Sequence, residues 1–228
     1  YLVLGIKKLA DKLPESMEGI KPVLIYPLFG VLLIGVFMFA VNPTMAAINT
    51  GITSFLNSMG GSSKILLGCI VAGMMSIDMG GPFNKAAYVF GTASIASGNY
   101  DVMAAVMIGG MIPPLAVALA TTFFKKKFTS EERKSGVVNY IMGLCFITEG
   151  VIPFAAADPL RVIPSCVAGS AVAGGLSMLF GCTLRAPHGG IFVFPVVGNV
   201  VGYLIALAAG SLVGMLLLGV LKKDKVAE

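Results

Sequence analysis

The residue with the strongest chemical implication is Glu149, a single carboxylate inside the apolar stretch 141–157. An ionised carboxylate in hydrocarbon is costly unless it is paired, hydrated or protonated, so such a residue usually marks a functional site. Gly150 and Pro153 follow it and interrupt a regular helix. A broken backbone at membrane depth persists only where protein covers it or where it lines a cavity. The stretch therefore predicts a polar site on a re-entrant turn.

Two further phrases combine polar side chains with residues that interrupt helices. Residues 78–85 (Asp-Met-Gly-Gly-Pro-Phe-Asn-Lys) contain Asp78 and Asn84, and residues 185–190 (Arg-Ala-Pro-His-Gly-Gly) contain the sequence's single histidine, His188. A carboxylate and an imidazole together suit a polyhydroxy ligand, because both form directional hydrogen bonds with hydroxyl groups. Either group also suits proton transfer near neutral pH.

Each of these polar residues also has a structural interpretation. A histidine beside Pro and Gly, such as His188, is typical of a loop or an interface. Asp78 has a possible ion-pair partner in Lys85, about two helical turns away. Arg185 suits either a lipid headgroup contact or a phosphate clamp, and the sequence does not separate the two.

Composition identifies the class of protein. Of 228 residues, 57% are apolar and only 12% are charged, whereas soluble domains carry roughly 25% charged residues. We therefore interpret the chain as an all-α integral membrane protein, with multi-span transmembrane helices and re-entrant hairpins. The four cysteines form no CxxC pair and have no histidine nearby. No metal site and no cofactor are predicted from that spacing.

The net charge of +5 indicates membrane topology rather than nucleic-acid binding. Twelve of the sixteen Lys and Arg residues lie in three clusters beside apolar stretches, and loops rich in Lys and Arg are typically cytoplasmic. We therefore predict that all three clusters face the cytoplasm. Their members are Lys7, Lys8, Lys12 and Lys21; Lys125, Lys126, Lys127, Arg133 and Lys134; and Lys222, Lys223 and Lys225.

Apolar stretches organise the chain into candidate spans of the roughly 30 Å hydrocarbon core. The first, residues 23–41, is predicted to end at Asn42-Pro43, with the mixed stretch 44–63 at the far interface. A hydrophilic loop is predicted at 125–135, and Asp158 and Arg161 predict a local ion pair at a helix start. The remaining apolar stretches are 65–77, 86–96, 102–124 with a bend at Pro113-Pro114, 137–157, 162–180, and 201–221 after a break at 195–199.

The basic clusters constrain how many of these stretches cross the membrane. If all three clusters are cytoplasmic, an even number of crossings separates each consecutive pair. Three apolar blocks lie between the first and second clusters, so one of them is re-entrant or a crossing is hidden near residues 86–96. After the second cluster the parity holds if 137–157 is a re-entrant hairpin followed by two full helices. Interrupted helices of this kind point to a transporter's substrate site.

Taken together and in order, the phrases 77–88, 147–154 and 186–190 resemble the enzyme IIC membrane component of the fructose-type sugar phosphotransferase system. The resemblance covers essentially the whole chain, which looks like the C-terminal portion of such a component. It implies a cytoplasmic linker or amphipathic segment at 1–22, a sugar-translocation domain at 23–221 that lacks its N-terminal helices, and a cytoplasmic tail at 222–228. It also implies a multi-pass protein of the bacterial inner membrane.

The resemblance implies that fructose or a related hexose or hexitol is phosphorylated as it crosses the membrane. The phosphoryl donor is a phosphocysteine on a IIB domain, which is supplied by IIA and a phosphocarrier protein, and the component is expected to form a homodimer. Glu149 and His188 are the implied catalytic residues. The implied substrate-binding residues are Thr148, Glu149, Gly150, Asp78, Asn84, His188 and Gly189.

A second interpretation belongs to another functional class. A proton-coupled secondary transporter that uses Glu149 would also place a carboxylate on a broken helix. The two interpretations differ in their product, because the phosphotransferase component releases phosphorylated sugar and the secondary transporter releases sugar unchanged.

Overall fold

The computed structural model describes residues 2–14, 17–58 and 64–225. The chain forms two compact units, Tyr1–Ser54 and Phe55–Glu228. The chain begins with α1 (Leu2–Ala10), and a π-helical turn (Lys21–Ile25) continues into α2 (Tyr26–Ser58). Because α2 runs through Pro43, the prediction that Asn42-Pro43 ends this helix is wrong. A proline removes one hydrogen bond and kinks a helix, but helices of membrane proteins tolerate it where the freed backbone groups are satisfied in other ways.

Helices dominate the second unit. A two-stranded antiparallel pair joins β1 (Thr183–Leu184) to β2 (Val197–Gly198), and short 3₁₀ turns occupy Lys125–Lys127, Thr148–Val151 and Ile191–Val196. The helices are α3 (Lys64–Ile77), α4 (Pro82–Ala96), α5 (Tyr100–Phe123), α6 (Ser130–Leu144), α7 (Ile152–Ala157), α8 (Pro159–Leu179) and α9 (Val200–Leu221).

The predicted membrane class is confirmed. Within the described ranges, four helical segments are long and apolar enough to cross a membrane: Lys21–Pro43, Tyr100–Phe123, Pro159–Leu179 and Val200–Leu221. In the second unit, α5 packs against α3, α8 and α9, and its side chains are almost all buried. Small residues allow the close approach that membrane helices favour. For example, a Cβ at Gly68 of α3 would lie 2.6 Å from the Gly174 carbonyl oxygen of α8.

Charged residues define two ends of the second unit. At the end that we call the basic end, the Lys225 amide donates to the Lys126 carbonyl (2.9 Å), and Lys127 pairs with Asp224 (3.2 Å). The second and third basic clusters therefore lie together, as a common side of the membrane requires. At the opposite end, which we call the far end, Lys64 pairs with Asp101 (3.2 Å) at the start of α5.

Two helical hairpins point toward each other from these ends. Hairpin 1 consists of α3, the turn at 78–81 and α4. It begins at Lys64, which pairs with Asp101, and only three residues separate its end from the start of α5, so both its outer ends lie at the far end. Hairpin 2 consists of α6, the turn at 145–151 and α7; it follows Lys125–Lys127 and leads into Asp158, which pairs with Lys222, so both its outer ends lie at the basic end. That the hairpins re-enter a membrane stays a prediction.

Part of the predicted hydrophilic loop at 125–135 is helical. α6 begins at Ser130 because Thr129 and Glu132 form a capping box, in which the Thr129 hydroxyl accepts from the Glu132 amide and the Glu132 carboxylate accepts from the Thr129 amide. This reciprocal pair satisfies two backbone donors that a helix start otherwise leaves free. The predicted break at 195–199 is confirmed, since α9 starts only after Asn199, whose side chain caps it.

Candidate functional site

The tips of the two hairpins meet at Gly80 and Glu149. A Cβ built on Gly80 would lie 3.1 Å from the Glu149 carboxylate oxygen Oε1, so the carboxylate stands directly against this glycine. Gly80 has a φ of +121°, which side-chain-bearing residues rarely adopt. Met79, beside it, belongs to the same buried apolar cluster as Val151 and Phe154 of hairpin 2. The backbone of one turn and the carboxylate of the other therefore form a single site.

The polar groups of hairpin 1 are used within the hairpin itself. The Asp78 carboxylate accepts hydrogen bonds from the Phe83 amide (2.6 Å) and the Asn84 amide (3.0 Å), which satisfies the first turn of α4. The buried Asn84 side chain donates to the Met75 carbonyl at the end of α3 (2.8 Å). Asp78 thus caps a helix and forms no ion pair with Lys85 among the residues that the structure describes.

Hairpin 2 is anchored to α5 through Thr148. Pro113 and Pro114 have no backbone N–H, so the carbonyls of Gly109 and Gly110 lack the helical donors they would otherwise have. The buried Thr148 hydroxyl donates to the Gly110 carbonyl (2.8 Å). The carbonyl freed by the second proline therefore holds the turn that carries Glu149.

Two serines donate hydrogen bonds to the neighbouring carbonyl, that of Gly109. The Gly109 carbonyl accepts from the hydroxyl of Ser170 in α8 (2.9 Å) and from that of Ser76 in α3 (3.4 Å), and both serines are buried. Buried backbone acceptors are almost always paired. A Pro-Pro pair inside a buried helix therefore needs hydrogen-bond donors from outside that helix for the two carbonyls it leaves unpaired.

The segment with His188 forms the third part of the site. The Tyr88 hydroxyl of α4 donates to the Pro187 carbonyl (2.9 Å). His188 is exposed, and its Nδ1 lies 2.6 Å from the Gly189 carbonyl oxygen. Because a carbonyl can only accept, Nδ1 is the donor in this contact, and Nε2 is the acceptor of the ring when that ring is neutral. Among the described residues, none forms a hydrogen bond with Nε2.

Phe146 joins this segment to hairpin 2. Its ring lies 5.7 Å from the His188 ring, between centroids, and it contacts Gly110 and Gly189. Sequence reasoning did not single out Phe146, although it precedes Glu149 by three residues.

The predicted site residues fall into two groups. Glu149 is exposed, and within the described chain no side chain or amide donates a hydrogen bond to its carboxylate. His188 is also exposed. The others lie within the framework of the turns: Thr148 and Asn84 are buried, Asp78 is a helix cap, Gly150 packs against Asn139 and Met142, and Gly189 packs against Phe146.

Arg185 lies at the far end, where its guanidinium stands 4.8 Å from the centre of the Tyr100 ring. This position on an aromatic face corresponds to a cation–π contact. Tyr100 begins α5 beside the Lys64–Asp101 pair, so Arg185 is far from the clustered lysines of the basic end.

The basic end is a network of paired charges. Asp158 accepts from Arg161 (3.0 Å), which confirms the predicted local pair, and lies 3.8 Å from the buried Lys222. Burial lowers the pKa of Lys222 from its usual range, and the charges of Glu132 and Asp158 only partly oppose this effect. Burial acts to raise the pKa of Glu132, but the hydrogen bonds from Lys225 and the Thr129 amide, together with the charges of Lys222 and Lys225, outweigh it, so this pKa lies below its usual range.

In the described part of the chain, no group of three or more His, Cys, Asp and Glu side chains is arranged to hold a metal ion. The described cysteines are buried or half-buried.

Comparison with known proteins identifies a close set of relatives. The sequence model of the family "Phosphotransferase system, EIIC" matches residues 3–169. The chain is 53% identical over 98% of its length to the "PTS system fructose-specific EIIABC component" of Bacillus subtilis (strain 168), of which it covers 35%. It is 52% identical over 98% of its length to the "Fructose permease IIC component" of Bacillus amyloliquefaciens, of which it covers 73%. No solved structure matches significantly.

Proposed function

The chain belongs to the phosphotransferase system EIIC family, and from this premise we propose that it binds fructose and carries it across the membrane coupled to its phosphorylation. The chain spans only about a third of some relatives, 35% of the Bacillus subtilis protein, so the complete activity is proposed for the assembly that contains it. Relatives named as fructose-specific support fructose as the sugar.

The observation that carries the proposal is the free carboxylate of Glu149 at the meeting point of the two hairpin tips. It is exposed on a chain that is otherwise strongly apolar, and it stands against a glycine that leaves room beside it. A carboxylate accepts hydrogen bonds from sugar hydroxyls, and one in contact with the reacting hydroxyl orients it and accepts its proton. The Nε2 atom of His188 supplies a second acceptor.

Phosphoryl transfer needs positioning and charge stabilisation more than covalent participation by the protein. We assign the acceptor side of this reaction to Glu149 and His188, which hold a sugar hydroxyl in line with the incoming phosphoryl group. The donor is a phosphocysteine on a IIB domain outside this chain. Relatives named EIIB'BC combine B and C components in one protein, which supports IIB as the partner.

The other predicted site residues shape the site in this account. Asp78 and Asn84 hold the tip of hairpin 1, and Thr148 fixes the turn of hairpin 2 on α5. Gly150 and Gly189 keep the close packing on either side of that turn. Their substitution is expected to act through the position of Glu149 and His188.

We place the IIB docking surface at the basic end. Lys125 and Lys126 are exposed there, whereas Lys127 is engaged with Asp224 and with the Lys222 carbonyl. Exposed lysines attract an anionic phosphorylated surface and speed its encounter. In this proposal the basic end is cytoplasmic in a bacterial inner membrane, IIA and the phosphocarrier protein act upstream of IIB, and the assembly is a homodimer.

Uptake of labelled fructose by membrane vesicles tests the proposal. The complete component containing this chain is supplied with or without phosphoenolpyruvate and the soluble relay proteins, and the product inside the vesicles is identified. We expect fructose phosphate only with the relay. Uptake of unchanged fructose that ignores the relay and collapses with a protonophore would contradict the proposal and indicate proton-coupled transport.

A further inference from the structure

Phe146 adopts a backbone conformation that is unfavourable for its residue type. Its φ is +61°, in the left-handed region. It ends α6 in the position that glycine usually takes, with the Ile147 amide donating to the Met142 carbonyl (2.8 Å) and the Phe146 amide to the Gly143 carbonyl (3.3 Å). A side chain in this conformation costs free energy, so the surrounding packing must hold it.

Two glycines make room for the Phe146 ring. A Cβ on Gly110 would lie 2.5 Å from the ring atom Cε2, and a Cβ on Gly189 would overlap the ring at Cδ2. On its other side the ring meets His188, at 5.7 Å between centroids and a tilt of 55°. The ring is therefore wedged between the middle of α5 and the His188 segment.

Gly110 links the ring to the Glu149 turn by a second route. Its α-carbon contacts the Phe146 ring, and its carbonyl accepts the Thr148 hydroxyl. The same glycine thus contacts both Thr148, which precedes Glu149, and Phe146, whose ring lies against His188.

We propose that Phe146 is a positioning residue, which sets where His188 stands relative to Glu149 and thereby determines the affinity for the sugar. This inference rests on the proposed function. Phe146 acts through His188 and does not contact the sugar. A ring that merely fills space would affect folding without any special dependence on His188, and this difference separates the two roles.

A double-mutant cycle on fructose affinity tests the inference. The variants Phe146→Leu, His188→Ala and the double variant are prepared in the complete component, and dissociation constants for labelled fructose are measured alongside thermal stability. Phe146→Leu keeps an apolar side chain but removes the aromatic contact with His188. Phe192→Leu is the matched control, since Phe192 lies four residues after His188 and its side chain is 69% exposed.

We expect Phe146→Leu to weaken fructose binding about tenfold, the scale of one aromatic contact together with one hydrogen bond. The KM should rise by a larger factor than the maximal phosphorylation rate falls, because Glu149 remains in place to hold the reacting hydroxyl. The double variant should bind no more weakly than His188→Ala alone, which is the non-additivity of residues that act together. Phe192→Leu should bind like the wild type.

A second variant keeps the test decisive if Phe146→Leu does not fold. Gly189→Ala retains the ring but displaces it from His188, and it should reproduce the rise in KM. Independent, additive losses from Phe146→Leu and His188→Ala, or normal affinity in Gly189→Ala, would overturn the inference while leaving the proposed function intact. A wild-type component that binds no fructose would overturn both.

Discussion

The two hairpins have the same architecture but use their polar residues in opposite ways. In hairpin 1, Asp78 and Asn84 direct their polar atoms back into the hairpin, one to amides of α4 and the other to a carbonyl of α3. In hairpin 2, Thr148 is engaged with α5, but the next residue, Glu149, leaves its carboxylate free. The polar groups of hairpin 1 are therefore engaged within that hairpin, and in our proposal hairpin 2 supplies the reactive group that faces it.

This difference shows why a carboxylate beside Gly and Pro is ambiguous in a sequence. Asp78 and Glu149 occur in similar phrases and both precede a helix start, Asp78 by four residues and Glu149 by three, yet among the described residues only Asp78 accepts from amides of the helix that follows. Its hydrogen bonds to two amides satisfy donors that would otherwise be unpaired. The turn at Thr148–Val151 leads into α7 without a side-chain cap, so the Glu149 carboxylate stays available.

The largest expected effect comes from removing the two carboxylates separately. Glu149→Gln should reduce the rate of fructose phosphorylation at least about 100-fold, because a positioned acid or base typically contributes that much. Asp78→Asn removes the same charge from hairpin 1 and keeps one of the two oxygens that accept from the amides of α4, so its rate should fall much less than that of Glu149→Gln. Comparable losses in both variants would remove the distinction between the hairpins.

The contact between the tips is tested at Gly80. Gly80→Ala should raise the KM for fructose about tenfold, because the methyl group strains a backbone at φ +121° and presses on Glu149. Gly98→Ala is the control: Gly98 also has a positive φ (+83°), but nothing lies within 4 Å of its added Cβ. An equal rise of the KM in both variants would show that backbone strain alone causes the effect.

The anchoring of hairpin 2 predicts a loss of stability. Thr148→Val keeps the shape of the side chain but leaves the buried Gly110 carbonyl without its donor, which should cost about 1–3 kcal/mol. Thr148→Ser keeps the hydroxyl and should be less destabilised. Thermal unfolding of the two purified variants in detergent compares them, and equal stabilities would exclude the hydroxyl as the anchor.

Much of this organisation could be predicted from the sequence. Composition alone identified the membrane class, and the three phrases around Asp78, Glu149 and His188 identified the family, which the comparisons confirm. The boundaries of α9 and the break before it followed from Pro195 and Asn199. Parity predicted a hairpin at 137–157, where the structure has hairpin 2. Between the first and second basic clusters it left open a re-entrant block or a crossing hidden near residues 86–96. That either hairpin re-enters a membrane stays a prediction.

What the sequence interpretation missed depends on contacts between distant residues. From the sequence, Gly80 is interpreted as part of a flexible turn; its positive φ and its contact with Glu149 are seen only in the structure. Phe146 looks like one apolar residue among many, because no local sequence pattern indicates that its ring packs between Gly110 and Gly189. The capping box at Thr129 and Glu132 was a local signal that could have been read. The Pro113-Pro114 pair likewise implied outside donors, but not which residues supply them.

The ion pairs at the bases of the two hairpins differ as well, and this difference predicts the smallest effect, a change in thermal stability. One pair that includes an exposed lysine, Lys64–Asp101, fixes hairpin 1, whereas Glu132 in hairpin 2 is bonded to both Lys225 and the Thr129 amide. Because the pKa of Glu132 is lowered on folding, its charge stabilises the fold above its ordinary pKa, and this contribution is lost as pH falls through the folded value.

Glu132→Gln should therefore lower the Tm by about 2–4 °C at pH 7, as expected for about 1 kcal/mol in a chain of this size. The difference from the wild type should shrink as the pH is lowered below about 4.5, near the usual pKa of a Glu. Asp101→Asn, which removes the α5 partner of Lys64 at the base of hairpin 1, should change the Tm less, since pairs with an exposed partner contribute little. A Tm difference for Glu132→Gln that is unchanged at low pH would contradict this assignment.

Equilibrium binding of labelled fructose to the complete component tests the central claim most directly. The claim is that the Glu149 carboxylate on hairpin 2, and not the Asp78 carboxylate that caps α4 on hairpin 1, holds the sugar. Glu149→Gln should weaken fructose binding at least about tenfold, the loss expected for a hydrogen bond to a charged group, while Asp78→Asn should weaken it much less. Wild-type affinity in Glu149→Gln, or lost affinity in Asp78→Asn alone, would contradict the account.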